Sequence, residues 1–461
     1  MHSHSSEKRN PIEAFASDPI PQVVIKNSVP ALIAMVMVMV YNIADTLFLG
    51  LTHNDYQVAA VSFAAPVFMI FMSLGTLFGV GGTSAISRAL GAGQKDRARR
   101  ICSFCMWSCV GVGLLLMLLL WIFTEDVAIM LGAKEHTLSY TTEYIAITVG
   151  CGVFSMLANC FSSIIRTEGE AMKAMTGTLI GNLVNLILDP IMILGLHWGV
   201  RGAAIATVIG NAVGALYYLL YFLRGKSALS ISIRDFSMKD GIPGAVLSVG
   251  ISASLANLLV SLSSIIVNIL LSAYGDVGEL YVAGYGVTSK VVMVVTLFGI
   301  GIGSGVQPMF GYCYGAKNKE RLLGSIRFSV GFALAVCFAV AALCFAFAGP
   351  IVKVFLSQPD AYDAGIKFTR VLMVTGWLIG AFAICQNTLQ AIGAAIPALL
   401  ASVFRQGIIF IPAAFLMNAA FGTDGIIWAQ PVADVLSLIV VALMLLSKLK
   451  HVKAWDSEAS A

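Results

Sequence analysis

Charge is the scarcest commodity in this chain. Lys, Arg, Asp and Glu make up 11% of its 461 residues, whereas a soluble globular protein carries about a quarter. With 58% of residues hydrophobic, the shortfall excludes a water-soluble globule and indicates a polytopic membrane protein. The marks of an enzyme are missing too. There is no nucleotide-binding glycine loop, no metal-ligand cluster and no nucleophile–base arrangement, and Gly79-Val80-Gly81-Gly82 lies inside an apolar span. No cofactor is expected. No cleavable signal peptide is apparent, because Met1 to Ile20 is polar and proline-bearing and the first apolar run is too long for a signal core. Cys102, Cys105 and Cys109 share one helical face without a histidine nearby. They read as small apolar residues of a buried helix, not as a metal site. The net charge of +4 makes no case for nucleic acid, since the basic residues sit in short loops between apolar runs.

What the chain does have is a duplication. Residues 55–97 and 279–321 superimpose with a constant shift of 224 positions, and 11 of the 43 aligned residues are identical without a gap. Each copy opens on an acid (Asp55, Glu279) followed by Val58-Ala59 or Val282-Ala283. Each carries a glycine stripe, Gly75, Gly79 and Gly81 against Gly299, Gly303 and Gly305. Each closes on Gly-Ala-x-x-Lys-acid-Arg, at Gly91 to Arg97 and Gly315 to Arg321. A tandem repeat of mostly membrane-spanning sequence implies a transporter with a path between the halves.

A stretch of about 20 apolar residues spans a bilayer. Twelve such spans are predicted, at 23–50, 56–89, 101–124, 139–165, 174–197, 203–223, 244–274, 279–312, 325–348, 366–392, 395–418 and 425–447. They define an N-lobe (23–223), a linker (224–243) and a C-lobe (244–447), between tails at 1–22 and 448–461. With both termini cytoplasmic, 20 of the 28 Lys and Arg fall inside. Five fall outside (Lys134, Arg201, Lys353, Lys367, Arg370) and three within spans (Arg88, Lys290, Arg405). That asymmetry obeys the positive-inside rule. An even number of spans per repeat relates two six-helix lobes by an axis along the membrane normal.

Ionisable residues within spans are costly, about 2.5–3.5 kcal/mol each at a helix centre on insertion scales. Asp45 lies in span one, within Tyr41-Asn-Ile-Ala-Asp-Thr46, and Asp189 in span five, within Asn185-Leu-Ile-Leu-Asp-Pro190. Asn185 and Asp189 are four apart, as are Thr207 and Asn211 in span six, so each pair shares a helix face. All fall at similar depth in the outer half of the N-lobe. Two carboxylates, an amide and a hydroxyl suit a proton or a hard cation such as sodium, and mutual repulsion of close carboxylates favours capturing one. The alternative is that the acids cap helix ends or hold helices together. Against this, Asp45 corresponds to Ile269 and Asp189 to Ala413, whereas a scaffold feature would be duplicated with the scaffold. Tyr41 is a further N-lobe candidate. The C-lobe holds Lys290, Gln386, Asn387, Arg405, Gln430 and Asp434, and a Lys290–Asp434 pair would lower the cost of both charges. The glycine stripes read as helix packing or as a hinge. Pro30, Pro190 and Pro412 could bend helices, and Met35, Met37, Met39, Met69 and Met72 with Phe68 and Phe71 could line an adaptable cavity or simply pack.

Taken together, Tyr-Asn-Ile-Ala-Asp-Thr at 41–46, Gly-Ala-Gly at 91–93, Asn-x-x-x-Asp-Pro at 185–190, Gly-Ala-Ala-Ile-Ala-Thr at 202–207 and Val-Gln-Pro-Met-Phe-Gly-Tyr-Cys-Tyr-Gly-Ala-Lys at 306–317 resemble the multidrug and toxic compound extrusion (MATE) family, over about residues 20 to 450. The resemblance implies an all-α membrane protein of twelve transmembrane helices in two pseudo-symmetric six-helix lobes around a central cleft. It implies export of cationic amphipathic drugs in exchange for H+ or Na+, and a cation site at Asp45, Asn185, Asp189 and Thr207. The chain departs from branches with an acid in spans seven and ten, which puts a C-lobe cation site in doubt. A bacterial plasma membrane location and a monomeric state are expected. A lipid-linked precursor flippase of related fold, or a channel or non-transporting receptor, are the alternatives.

Overall fold

The computed structural model describes residues 11–453, apart from 53, 226 and 357. Residues 1–10 and 454–461, the outer parts of the expected tails, lie outside the described residues. Among the described residues all regular structure is helical. The main helices are α1 (Ile20–Gly50), α2 (Asp55–Gly91), α3 (Lys95–Ile122), α4 (Glu135–Gly150), α5 (Gly152–Ile165), α6 (Ala171–Pro190) and α7 (Gly199–Leu223). The second half contributes α8 (Ile242–Ser272), α9 (Asp276–Gly315), α10 (Lys319–Ala346), α11 (Pro359–Gly376), α12 (Leu378–Ala391), α13 (Ala395–Val403), α14 (Phe410–Phe421) and α15 (Thr423–Lys453). Among the described residues ten helices, some continued through a short π-helical turn, are long and apolar enough to cross a membrane. Two bent pairs, α4–α5 (50°) and α11–α12 (47°), bring the number to twelve if each pair is one span.

Asn54 starts α2 by accepting the Tyr56 amide at 3.1 Å, and Asn318 starts α10 by accepting the Arg321 amide at 3.0 Å, each satisfying a helix-start donor. These caps are not repeat partners, but the repeat is visible in the turn that closes each copy. It needs one left-handed residue at the same place, Gly93 (φ 73°) and, 224 positions on, Lys317 (φ 52°). Glycine takes that conformation without strain and lysine does not.

The glycine stripes turn out to be packing surfaces. A Cβ on Gly75 or Gly79 would come within 3.0 Å of Met156 or Ser163 on α5, and one on Gly303 within 2.5 Å of Asn387 on α12. Only a missing side chain permits such approach.

The chain folds as two compact units, one formed by Ile33–Gly250 with the segment ending at Asp18, the other by Pro19–Leu32 with the chain from Ile251 onward. The beginnings of α1 and α8 are thus exchanged between the halves. Glycines explain how. A Cβ on Gly81 of α2 would lie 2.2 Å from the Val246 carbonyl of α8, and one on Gly305 of α9 would lie 2.6 Å from the Asn27 carbonyl of α1. Equivalent glycines therefore seat the start of the opposite half's first helix.

The segment after α7 is folded onto the first unit. Glu168 is 3% exposed and accepts from Tyr221 Oη (2.9 Å), Ser227 Oγ (2.9 Å) and the Ala228 amide (2.6 Å). Trp107 donates to the Ile231 carbonyl at 3.1 Å and Ser103 to the Ser232 carbonyl at 2.7 Å. Arg100 pairs with Asp240 at 2.9 Å.

A candidate cation site in the first unit

Helices α6 and α7 meet backbone to backbone at Gly181 and Gly210. A Cβ on Gly210 would fall 2.9 Å from the Asn185 Cβ, so glycine there lets Asn185 approach Thr207. Beyond Asp189, Pro190 offers no N–H to the carbonyl four residues earlier. The helix then widens into a single π-turn over Ile191–Gly195. Gly202 at the start of α7 sits against that turn, since a Cβ on it would lie 2.8 Å from the Met192 backbone.

The result is a buried polar cluster. Asp189 is 0% exposed, Asn185 3% and Thr207 7%. In the amide orientation that satisfies both ends, Asn185 Nδ2 donates to Asp189 Oδ2 at 3.2 Å and its oxygen accepts the Thr207 amide at 3.1 Å. Asp45 lies near enough to Asp189 for their charges to interact directly, and its Oδ1 is buried without a hydrogen-bond partner. Neither carboxylate pairs with Lys, Arg or His among the described residues. A buried carboxyl oxygen without a donor is costly, so the cluster is suited to hold a positive ion or a proton.

Tyr41 falls within electrostatic range of both acids. Asn211 does not reach them by hydrogen bonding; its Nδ2 donates to the Thr207 carbonyl at 3.0 Å on its own helix. Tyr144 of α4, which the sequence reading did not single out, also lies within range of Asp45, Tyr41 and Asp189. A signal for it existed. The residue 224 positions on is Phe368, so the hydroxyl, like the two carboxylates, belongs to one copy only.

The second unit's polar residues do not form one network. Asp434 pairs with Arg405, Nε to Oδ1 at 2.9 Å, rather than with Lys290, which is exposed on α9. Gln430 donates to the same oxygen at 3.0 Å. Gln386 donates to Ser402 Oγ at 2.6 Å, and Asn387 to the Ala383 carbonyl on its own helix at 2.8 Å. The cysteines Cys102, Cys105 and Cys109 are buried core residues, and among the described residues no cluster of His, Cys, Asp and Glu could hold a metal ion.

Such a molecule, a duplicated all-helical membrane protein with a buried acidic cluster in one copy, defines a class of multi-pass membrane proteins. The MatE family model matches twice, over residues 30–191 and 253–416, once in each half. The chain belongs to the MatE family. It is 31% identical to the multidrug export protein MepA of Staphylococcus aureus (strain MSSA476) over 435 residues, 94% of each chain. Its identity to MepA of Staphylococcus haemolyticus (strain JCSC1435) is 31% over 88% of this chain and 89% of that one. Among solved structures, the outward-facing conformation of a multidrug resistance MATE family transporter of the MOP superfamily superimposes with a TM-score of 0.91 at 25% identity, covering 96% of this chain and 98% of that one. A MATE in complex with MaL6 matches equally well, with a TM-score of 0.91 and 25% identity over 96% of this chain and 99% of that one.

Proposed function

We propose that this protein is a secondary active multidrug efflux antiporter, exporting cationic amphipathic compounds in exchange for H+ or Na+. The observation that carries the reading is the cluster of half-buried Asp45 with buried Asp189, in which Asp45 Oδ1 is sealed without a donor and neither acid has a basic partner among the described residues. The multidrug export proteins to which the chain is similar support the transport class.

In this reading a cation from outside enters the cluster and neutralises one carboxylate. Asn185 and Thr207 hold Asp189 in place, and the π-turn after Pro190 gives α6 a segment whose hydrogen bonding can rearrange. The loaded and empty states then differ in their preferred facing direction. Drug and cation move the equilibrium only by their differential affinity for the two states. The site serves inward cation movement when the protein lies in the bacterial plasma membrane with both termini cytoplasmic.

The test is efflux of a fluorescent lipophilic cation from proteoliposomes containing the full chain, with a proton gradient and a sodium gradient imposed separately. Accumulation against a gradient driven by either ion supports the reading. Passive leakage unaffected by both ions contradicts it.

A further inference from the structure

The 224-residue shift places Gly181 opposite Arg405 and Gly210 opposite Asp434. In the first unit these positions form a backbone contact between α6 and α7. In the second unit the same positions carry an ion pair between the π-turn at Phe404–Ile408 and α15. The scaffold therefore packs without charge at this point. The charges of the second copy call for a role other than joining two helices.

The pair is only half used. Asp434 Oδ1 takes both donors, Arg405 Nε and Gln430 Nε2. Among the described residues Oδ2 takes none, yet it is not among the sealed, unpartnered polar atoms. Arg–carboxylate pairs frequently use both oxygens in a fork, whereas this one joins a single nitrogen to a single oxygen. Gln430 precedes Asp434 by one helical turn on α15, so its Oε1 and Asp434 Oδ2 are acceptors on one helix face. On the other side, the Arg405 guanidinium lies 4.9 Å from the Phe382 ring centroid, a contact that fixes the cation in place. Arg405 is 14% exposed and Gln430 partly so. Ionisable groups within a membrane span face protein or a watered cavity, not lipid.

We propose that Asp434 and Gln430 receive the head of the transported molecule, and that they select cations bearing N–H donors, protonated amines or amidinium groups, over quaternary ones. This rests on the efflux reading above and adds its substrate chemistry. The carboxylate then sits between two cations, Arg405 on Oδ1 and the substrate's N–H on Oδ2, each nearer to the anion than to the other. A carboxylate has lone pairs for donors on both oxygens. A quaternary ammonium brings no donor and leaves Oδ2 and Gln430 Oε1 desolvated and unmatched, which is the stronger basis of discrimination.

The test uses purified full-length protein in lipid nanodiscs, with 1-adamantylammonium and its N,N,N-trimethyl derivative as matched probes in equilibrium dialysis. The wild type binds the primary ammonium about tenfold more tightly, the scale of one matched hydrogen bond to a charged group. Asp434→Asn abolishes the preference by weakening the ammonium alone. Gln430→Leu keeps the ion pair and reduces the preference, which covers the case in which Asp434→Asn does not fold. Equal binding of both probes by the wild type, or equal loss of both in either variant, overturns the proposal. The two readings fail separately. Gradient-driven efflux of both probes without a preference defeats only this inference, and a preference without gradient-driven efflux defeats only the antiport reading.

Discussion

Gly181 and Gly210 touch backbone to backbone. A Cβ on Gly181 would lie 2.7 Å from the Gly210 carbonyl oxygen, and a Cβ on Gly210 would lie 2.6 Å from the Gly181 carbonyl oxygen. This contact sets the distance between Asn185 and Thr207, and so the geometry around Asp189. Gly210→Ala is expected to force the helices apart, costing about 1–3 kcal/mol as overpacking does, and to weaken cation binding. Gly214→Ala, one turn on, is the control. Its nearest contact would be an ordinary 3.4 Å, and its unfolding midpoint should match wild type.

Tyr144 lies within electrostatic range of the cluster and carries a hydroxyl that its counterpart Phe368 lacks. Phe368 is itself buried, 2% exposed against 7% for Tyr144, so a ring without hydroxyl fits this scaffold. Tyr144→Phe is therefore expected to fold with an unchanged thermal midpoint and to lower coupling-ion affinity about threefold to tenfold, the scale of one hydrogen bond. An unaltered ion dependence of efflux would remove Tyr144 from the site.

Glu168 anchors the segment after α7 through three donors, from Tyr221, Ser227 and Ala228. Replacing it with Ala leaves buried donors unmatched, at about 1–3 kcal/mol each. Limited proteolysis is expected to cut the variant within residues 227–240 well before wild type. Equal resistance would show that Trp107, Ser103 and Arg100 suffice to hold the segment.

Much of this molecule was legible before the structure. Apolar runs located the helices because a membrane leaves little choice of backbone structure, and the repeat survived in the glycines because a Cβ at Gly81 or Gly305 would run into backbone. Position along a helix gives depth, and depth brought Asp45, Asn185, Asp189 and Thr207 to one level. Depth does not give the facing direction between distant helices. Lys290 was thus matched to Asp434, whereas α14 and α15, joined by a single turn at Gly422, bring Arg405 to that acid. The breaks within spans four and ten were not legible either. No proline marks Cys151 or Trp377; the break after α4 lies where the Phe71 ring fills the space of a Gly152 side chain, 2.5 Å from where its Cβ would be. That is a tertiary contact with no local signature. The exchange of helix starts between units depends on similar contacts, at Gly81 and Gly305.

The measurement that bears most directly on the central claim is counter-transport in reconstituted protein, reading the ion rather than the drug. Liposomes holding wild type are loaded with a lipophilic cation, and internal pH and sodium are followed as it leaves. Outward drug movement is expected to draw one of these ions inward against its gradient, and Asp45→Asn or Asp189→Asn is expected to abolish that ion movement while drug binding persists. Undiminished ion movement in both variants would contradict the account, because the Asp45–Asp189 cluster would then not be where drug and ion are linked.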